Sequence, residues 1–268
     1  MEPQGRRAVS DEKESDFLKA FQQWITDNSY AREVELSFVD CDRNKNVRPA
    51  KLLSLVAAAG GYDYDARGLT HQKLYEMGQV FLLSGIALRI HRRPVNREVL
   101  TITTWEDGAH GAHMRRVYEI TDESGAVCVS AKSEWILIDP ADRKILRPAS
   151  FTGKPLTTCP KSIDCLDCRR ITLPREGTEM LGTRLVRWSD LDGNGHVYSG
   201  NYGDIVWDVL PADLQGAPLR ELYINYSREA LLGETLTLQG FREGNSYTVE
   251  GRLEEGHCFS CRCEFDPD

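Results

Sequence analysis

The chain has 268 residues, 41% of them apolar, with eight cysteines and a formal net charge of −8. That composition supports a packed core and argues against disorder. An acidic balance with no basic stripe excludes nucleic acid as the expected partner, and no apolar run reaches the roughly 18 residues of a membrane span.

The N-terminal stretch MEPQGRRAVSDEKESD has no apolar core for a signal peptide, so a cytoplasmic protein with free thiols is expected. Phe17, Leu18, Phe21, Trp24 and Ile25 recur at helical spacing and predict an amphipathic helix within residues 1–28, capped near Ser10 or Asp11. Val34, Leu36 and Phe38 alternate as in a strand. A polar loop follows from Asp40 to Asn46. Pro49 then suits a first helical turn, and Gly60-Gly61 is read as the stop of that helix. His71 to Met77 reads as a second short helix. Strands are expected at Val80–Ile90, Val99–Trp105, Met114–Thr121 and Val127–Asp139, with a Gly-containing turn over Glu106–His113. Residues 141–180 hold prolines, charges and Cys159, Cys165 and Cys168, and read as a long surface connection. A strand at Thr183–Trp188, a loop, a helix over Ser199–Val209 and four more strands complete the chain.

The second half repeats the first. FVDCDRNKNV, shifted by 150 positions, sets Asp40 on Asp190, Asp42 on Asp192, Asn44 on Asn194 and Val47 on Val197, while Asn46 falls on His196. Near the ends, AVCVSAKSEW and GHCFSCRCEF align at a shift of 130, so the second copy has lost residues after its helix. Each half is a strand, a loop, a helix and an antiparallel sheet. The fold class is therefore α+β, a tandem double hotdog in which two sheets each wrap a helix and join as a pseudo-dimer. The expected units are residues 29–140, a connection at 141–180, and 181–268.

The second loop admits three chemical readings. Asp190, Asp192 and Asn194 occupy positions 1, 3 and 5 of a calcium loop, with Gly195 at 6, but position 12 is Asn201 where a bidentate Glu is required. Cys165-x-x-Cys168 lacks a second CxxC, and Cys261 and Cys263 would share one strand face, so no metal is expected. A structural turn is the second reading, since Asp, Asn and Gly are ordinary turn residues. Hydrolysis is the third: His196 is the one group in the loop that titrates near neutrality, and helix N-terminal amides beyond it suit an oxyanion. The first loop keeps the turn residues without the histidine, which favours a chemical role for His196.

RWSDLDGNGHVYSGNY resembles the RWSDxDxNxHVNNxxY signature of the acyl-ACP thioesterases, and Tyr226-Ser227-Arg228-Glu229-Ala230 is similar to that family's YRREC segment. Arg93-Pro94, Thr104-Trp105, Arg115-Arg116, Gly125, Ala131, Ser133 and Trp135 resemble its N-terminal sheet. The resemblance runs from about Tyr30 to Phe265 and implies a double hotdog that hydrolyses fatty acyl-ACP thioesters without a cofactor. It implies Asp192, Asn194, His196 and Glu229 as catalytic residues. The position of a cysteine once proposed as nucleophile is Ala230 here, and Tyr198 and Ser199 replace the two asparagines of HVNN. An acyl tunnel in the first half is implied, with Leu52, Val56 and Tyr75 as candidate lining residues beside Ser199 and Tyr202. Acyl carrier protein is acidic, so docking calls for a basic patch. Arg92-Arg93, Arg115-Arg116, Arg143-Lys144 and Arg169-Arg170 are the candidates. An acyl-CoA thioesterase on the same fold and a non-catalytic acyl-binding module are the alternatives. The chain is expected as a monomeric pseudo-dimer or a homodimer.

Overall fold

The computed structural model describes residues 21–153, 158–159 and 161–267. Its frame is an eleven-stranded antiparallel sheet. In chain order the strands are β1 (Gln23–Ile25), β2 (Tyr30–Glu35), β3 (Val80–Ile90), β4 (Val99–His110), β5 (His113–Thr121), β6 (Val127–Ile138), β7 (Glu179–Leu185), β8 (Leu219–Tyr226), β9 (Thr235–Glu243), β10 (Ser246–Leu253) and β11 (Gly256–Phe265). The helices are α1 (Pro49–Ala66), α2 (His71–Glu76), α3 (Asn201–Val209) and α4 (Ala212–Gln215).

The strand order is β1-β2-β4-β5-β6-β3-β8-β11-β10-β9-β7. The half β2-β4-β5-β6-β3 is mirrored by β7-β9-β10-β11-β8, and the two meet where β3 pairs antiparallel with β8, from Gly85 opposite Asn225 to Arg89 opposite Glu221. This is the joined sheet of a double hotdog, as the repeat predicts. The strands form because one face is apolar. Leu100, Ile102 and Thr104 on β4 are buried, with less buried residues between them.

Both long helices pack against the sheet. Leu52, Leu53 and Val56 on α1 and Tyr202, Ile205 and Val206 on α3 join one continuous core with Leu88, Leu222 and Ile224. Burying each such aliphatic side chain contributes about 1.5–3 kcal/mol. The helices touch where glycines permit it. A Cβ on Gly203 would lie 2.7 Å from Ala50 Cα, and one on Gly200 would lie 3.1 Å from Ala50 O. Arg48 and Asp204 pair at 2.7 Å beside this crossing.

Several expectations are corrected. Trp24 and Ile25 lie on β1, which pairs with β2, and not on a helix; Ser10, Asp11, Phe17 and Leu18 lie outside the described residues. Gly60-Gly61 does not stop α1, which runs on to Ala66. Gly60 instead leaves room for the Arg116 side chain, whose Cδ would be 3.2 Å from an added Cβ. Glu106–His110 is strand, not turn: Gly108, at φ +87°, is a bulge in a longer β4. β7 begins at Glu179, and Trp188–Asp190 forms a short 3-10 turn. The connection between the halves is not wholly superficial. Cys165 and Ile171 pack on Ala87 and Tyr223, on the outer face of the central strands. Arg169 reaches across to Glu264 and stacks on the Tyr223 ring, and Ile171 N–H donates to Asn225 at 2.8 Å.

Candidate active site

The second loop is a chain of short-range hydrogen bonds. Asp192 Oδ1 accepts from the backbone N–H groups of Asn194 at 2.8 Å and His196 at 3.4 Å. Asp192 N–H donates to His196 O at 2.8 Å and Gly195 N–H to Asp192 O at 3.0 Å. Gly195 takes φ +82°. The first loop repeats this: Asp42 Oδ1 accepts from Asn44 and Asn46 N–H at 2.8 and 3.1 Å, and Lys45 bears the left-handed φ of 67°. The turn therefore needs Asp at its head and tolerates His or Asn at its end. Asp190 anchors the loop from outside. Its carboxylate accepts from Arg184 and from Arg187 N–H, both at 2.7 Å, and its carbonyl from the Asn201 side-chain amide at 2.9 Å. These internal bonds occupy oxygens that a calcium loop would turn toward the ion.

Beyond the loop, tertiary pairing supplies what the loop lacks. His196 forms a bridge with Leu231, and Val197 N–H donates to Ala230 O at 2.9 Å. This brings the segment after β8 alongside, and Glu229 Oε1 stands 3.5 Å from His196 Nδ1. Arg143 donates from Nη2 to the other oxygen of Glu229 at 2.6 Å. The imidazole thus faces Glu229, while Asp192 reaches it only through the backbone. Cys258 and Tyr202 lie behind Glu229. Cys258 Sγ donates to Arg228 O at 3.1 Å, and Tyr202 OH is 3.5 Å from Cys258 Sγ. Burial raises both the Cys258 thiol and the Tyr202 phenol, so both keep their protons at neutral pH. Tyr226 OH donates to Ser199 O at 2.9 Å and ties β8 to the approach of α3.

The first half shows the same frame with the chemistry removed. His91 and Arg92 N–H groups donate to Cys128 O as Ser227 and Arg228 donate to Cys258 O, and Asn46 bridges Val95 as His196 bridges Leu231. By this register Arg93 stands where Glu229 stands. Its guanidinium donates to Asp42 Oδ2 at 3.0 Å and Val47 O at 2.8 Å, and lies over the Trp207 ring. An amide and a guanidinium thus replace the imidazole and the carboxylate.

Asp192, Asn194, His196, Ser199, Tyr202, Tyr226, Arg228, Glu229 and Arg143 line one open groove of about 980 Å³, together with Tyr75 and residues 80–84 of β3. A smaller cavity of about 210 Å³ lies against α1 and shares Ala57, His71, Val80, Phe81 and Trp135 with the groove. Leu52 and Val56 line neither; both are fully buried in the core, because their positions on α1 face the sheet and α3. Ala57, Ala58, Gly60, Gly61 and Tyr64 take the lining role. The far end of the cavity is charged but closed on itself. Arg116 bonds Asp63 at 2.8 Å and Glu106 at 2.6 Å, and Tyr64 OH donates to Glu106 at 3.1 Å. Burial alone would weaken the Arg116 charge, but the two carboxylates prevail and hold it firmly protonated. Sequence reasoning noted Arg116 and missed its partners, which sit on α1 and β4.

Of the basic pairs proposed for docking, Arg93 and Arg116 are turned inward, Arg92 is engaged with Glu98 and Asp122, and Arg169 with Glu264. The Cys165 thiol points to Ala87 O, and burial pushes it up to about 11; Cys168 is raised as well. Among the described residues no group of three or more His, Cys, Asp or Glu is placed to hold a metal ion, and no helix is long and apolar enough to cross a membrane.

Residues 27–150 match the acyl-ACP thioesterase N-terminal domain, and residues 177–260 match the acyl-ACP thioesterase C-terminal domain. Among solved structures, the chain is similar to an acyl-ACP thioesterase from Bacteroides thetaiotaomicron, with 20% identity and a TM-score of 0.82 over 90% of this chain and 100% of that one. It is also similar to the 12:0-ACP thioesterase from Umbellularia californica, with 15% identity and a TM-score of 0.73 over 90% and 98%. At these identities the structures speak to the fold. A search of curated proteins finds no match.

Proposed function

The chain belongs to the acyl-ACP thioesterase family, and on that premise we propose that Glu229 and His196, set against the Asp192–Asn194 loop, carry its reaction. The reaction is hydrolysis of the thioester between a fatty acyl chain and acyl carrier protein. The observation that supports the residue assignment is the 3.5 Å approach of Glu229 Oε1 to His196 Nδ1 on the wall of a groove that shares residues with an apolar cavity.

In this reading the acyl chain lies along β3 and Tyr75 and enters the cavity beside Ala57 and Phe81, while the thioester carbonyl rests over the loop. Glu229 Oε1 takes a proton from water as the water oxygen attacks the carbonyl carbon. The charge that develops on the carbonyl oxygen is met by the Asn194 side-chain amide, which makes no hydrogen bond to the described residues, and by amides at the approach to α3. Collapse of the tetrahedral intermediate breaks the carbon–sulfur bond. His196 relays the proton that Glu229 took from water to the departing thiolate, which leaves as the carrier-protein thiol and restores both side chains. Asp192 holds Asn194 and His196 at their stations through the backbone. One chain supplies both halves, so a second copy is not needed to complete this site.

The test is turnover of a panel of acyl-ACPs, with matched acyl-CoAs alongside, by wild type, Glu229→Gln and His196→Ala. A positioned general base contributes about 10²–10⁴ in rate, and losses of that order are expected in both variants. Near wild-type turnover in both folded variants refutes the assignment, and equal or faster hydrolysis of acyl-CoA moves the substrate class to the coenzyme.

A further inference from the structure

We infer that Arg143, from the hairpin that ends the first half, is a positioning residue for Glu229 in the second half. This rests on Glu229 acting in the reaction as proposed above.

Arg143 follows β6 in a turn built for its conformation. Ile138 bridges Ile145, Asp139 N–H donates to Lys144 O at 2.9 Å, and Arg143 N–H donates to Asp139 O at 2.8 Å. Ala141 N–H is capped by the Asp139 carboxylate at 2.8 Å, and Lys144 N–H by Asp142 at 3.0 Å. The turn puts Arg143 at φ +58°, a left-handed backbone that glycine or asparagine adopts with less strain. A long arginine there is a poor choice for the turn itself. Its side chain supplies the reason: it crosses to the groove and meets Glu229 Oε2 at 2.6 Å.

The consequence for Glu229 is geometric. With one carboxylate oxygen held by a guanidinium, the other is left to face His196. Among the described residues, the groups around the carboxylate are few. His196 and Asp192 come from the loop, Tyr202 from α3, and Arg143 from the hairpin. Arg228 is turned to Glu255, and Lys144 to Asp142. Among the described residues, Arg143 is therefore the cation that orients Glu229. It is also a contact between the two family domains, since residue 143 lies in the N-terminal match, residues 27–150, and residue 229 in the C-terminal one, residues 177–260.

The experiment uses three variants of the full chain: Arg143→Gly, Arg143→Lys and Glu229→Gln. Glycine suits the left-handed turn, so Arg143→Gly keeps the hairpin while removing the side chain that reaches Glu229. A charge-assisted hydrogen bond to a carboxylate carries on the order of a tenfold effect. For Arg143→Gly on acyl-ACP, kcat is expected to fall about tenfold with KM changed less than about twofold. Arg143→Lys recovers part of the lost kcat. The inference is overturned if Arg143→Gly matches wild type. It is equally overturned if only KM for acyl-ACP rises while a short acyl-pantetheine thioester is unaffected, which is the mark of a docking residue. If Glu229→Gln itself keeps wild-type turnover, the catalytic reading of Glu229 fails first, and the two failures are told apart by that variant.

Discussion

The same substitution at two helical glycines should have opposite signs. Gly203 sits in α3 where that helix crosses α1, and Gly61 sits in the exposed stretch of α1. Alanine is favoured over glycine in a helix interior by about 1 kcal/mol. At Gly61 nothing lies within 4 Å of an added Cβ, so Gly61→Ala should stabilise by about 0.5–1 kcal/mol. At Gly203 the added Cβ would lie 2.7 Å from Ala50 Cα, 2.8 Å from Ala50 N and 3.1 Å from Leu53 Cδ1. Carbon atoms in contact prefer about 3.5–4.0 Å. The shortfall, roughly 1 Å, is against backbone and cannot be relieved by a rotamer change. Overpacking costs about 1–3 kcal/mol, and a clash of this size against backbone falls in the upper part of that range; less the propensity gain, Gly203→Ala should lose about 1–2 kcal/mol. A shift of α3 also moves Asn201, whose amide holds the Asp190 carbonyl at the root of the loop, so kcat should fall together with stability. Urea midpoints of the two variants against wild type, with turnover on the same samples, make the check. A stabilised Gly203→Ala, or a destabilised Gly61→Ala, would refute the reading of the helix crossing.

Other outcomes follow from the same geometry. His196→Asn copies the residue of the first loop, so the fold should hold within about 0.5 kcal/mol while turnover drops by about 10² or more; thermal melting and acyl-ACP hydrolysis test both parts. Leu52→Ala should cost about 2–5 kcal/mol as a core truncation, whereas Tyr75→Ala, on an exposed groove wall, should leave stability nearly unchanged and alter which acyl chains are released. The Glu264 carboxyl is pushed up by burial, but guanidinium bonds from Arg262 and Arg169 prevail and hold it below its ordinary value of 4.5. Its contribution is therefore present above about pH 4.5 and lost as pH falls further. Protection of the amides around residues 165–171, pinned by Arg169, measured against their intrinsic exchange at each pH, should fall in that acid window and should already be low at neutral pH in Glu264→Gln; no change would refute the clamp.

What could be read without coordinates was whatever is enforced within a few residues. The Asp192 turn closes over four positions, so Asp42-x-Asn44-x-Asn46 and Asp192-x-Asn194-x-His196 announce one loop and its single difference. Strand alternation and the repeat order carried the sheet and its duplication for the same reason. Errors arose where a local signal was overruled from afar. Gly60-Gly61 reads as a helix stop, yet Asp63 and Tyr64 in the next turn are held by Arg116 and Glu106, and that buried network prolongs α1. Gly108 reads as a turn, yet pairing with β5 absorbs it as a bulge. Leu52 and Val56 were apolar in the right half, but the sequence does not say which helical face meets the sheet and which meets a cavity.

The functional pairings lie at the other extreme. Glu229 was reachable only through resemblance, since the bridge from His196 to Leu231 spans 35 positions and is made by strand register. Arg143 and Arg93 were visible only as halves of basic pairs. One turns out to hold the Glu229 carboxylate across the two halves, and the other to stand in the first half where Glu229 stands in the second. The sequence by itself determined the loop, its duplication and the lone imidazole, because hydrogen bonds among near neighbours need no further context. Only the tertiary structure decided which carboxylate faces that imidazole and which guanidinium faces the carboxylate, because both contacts depend on how distant strands pair.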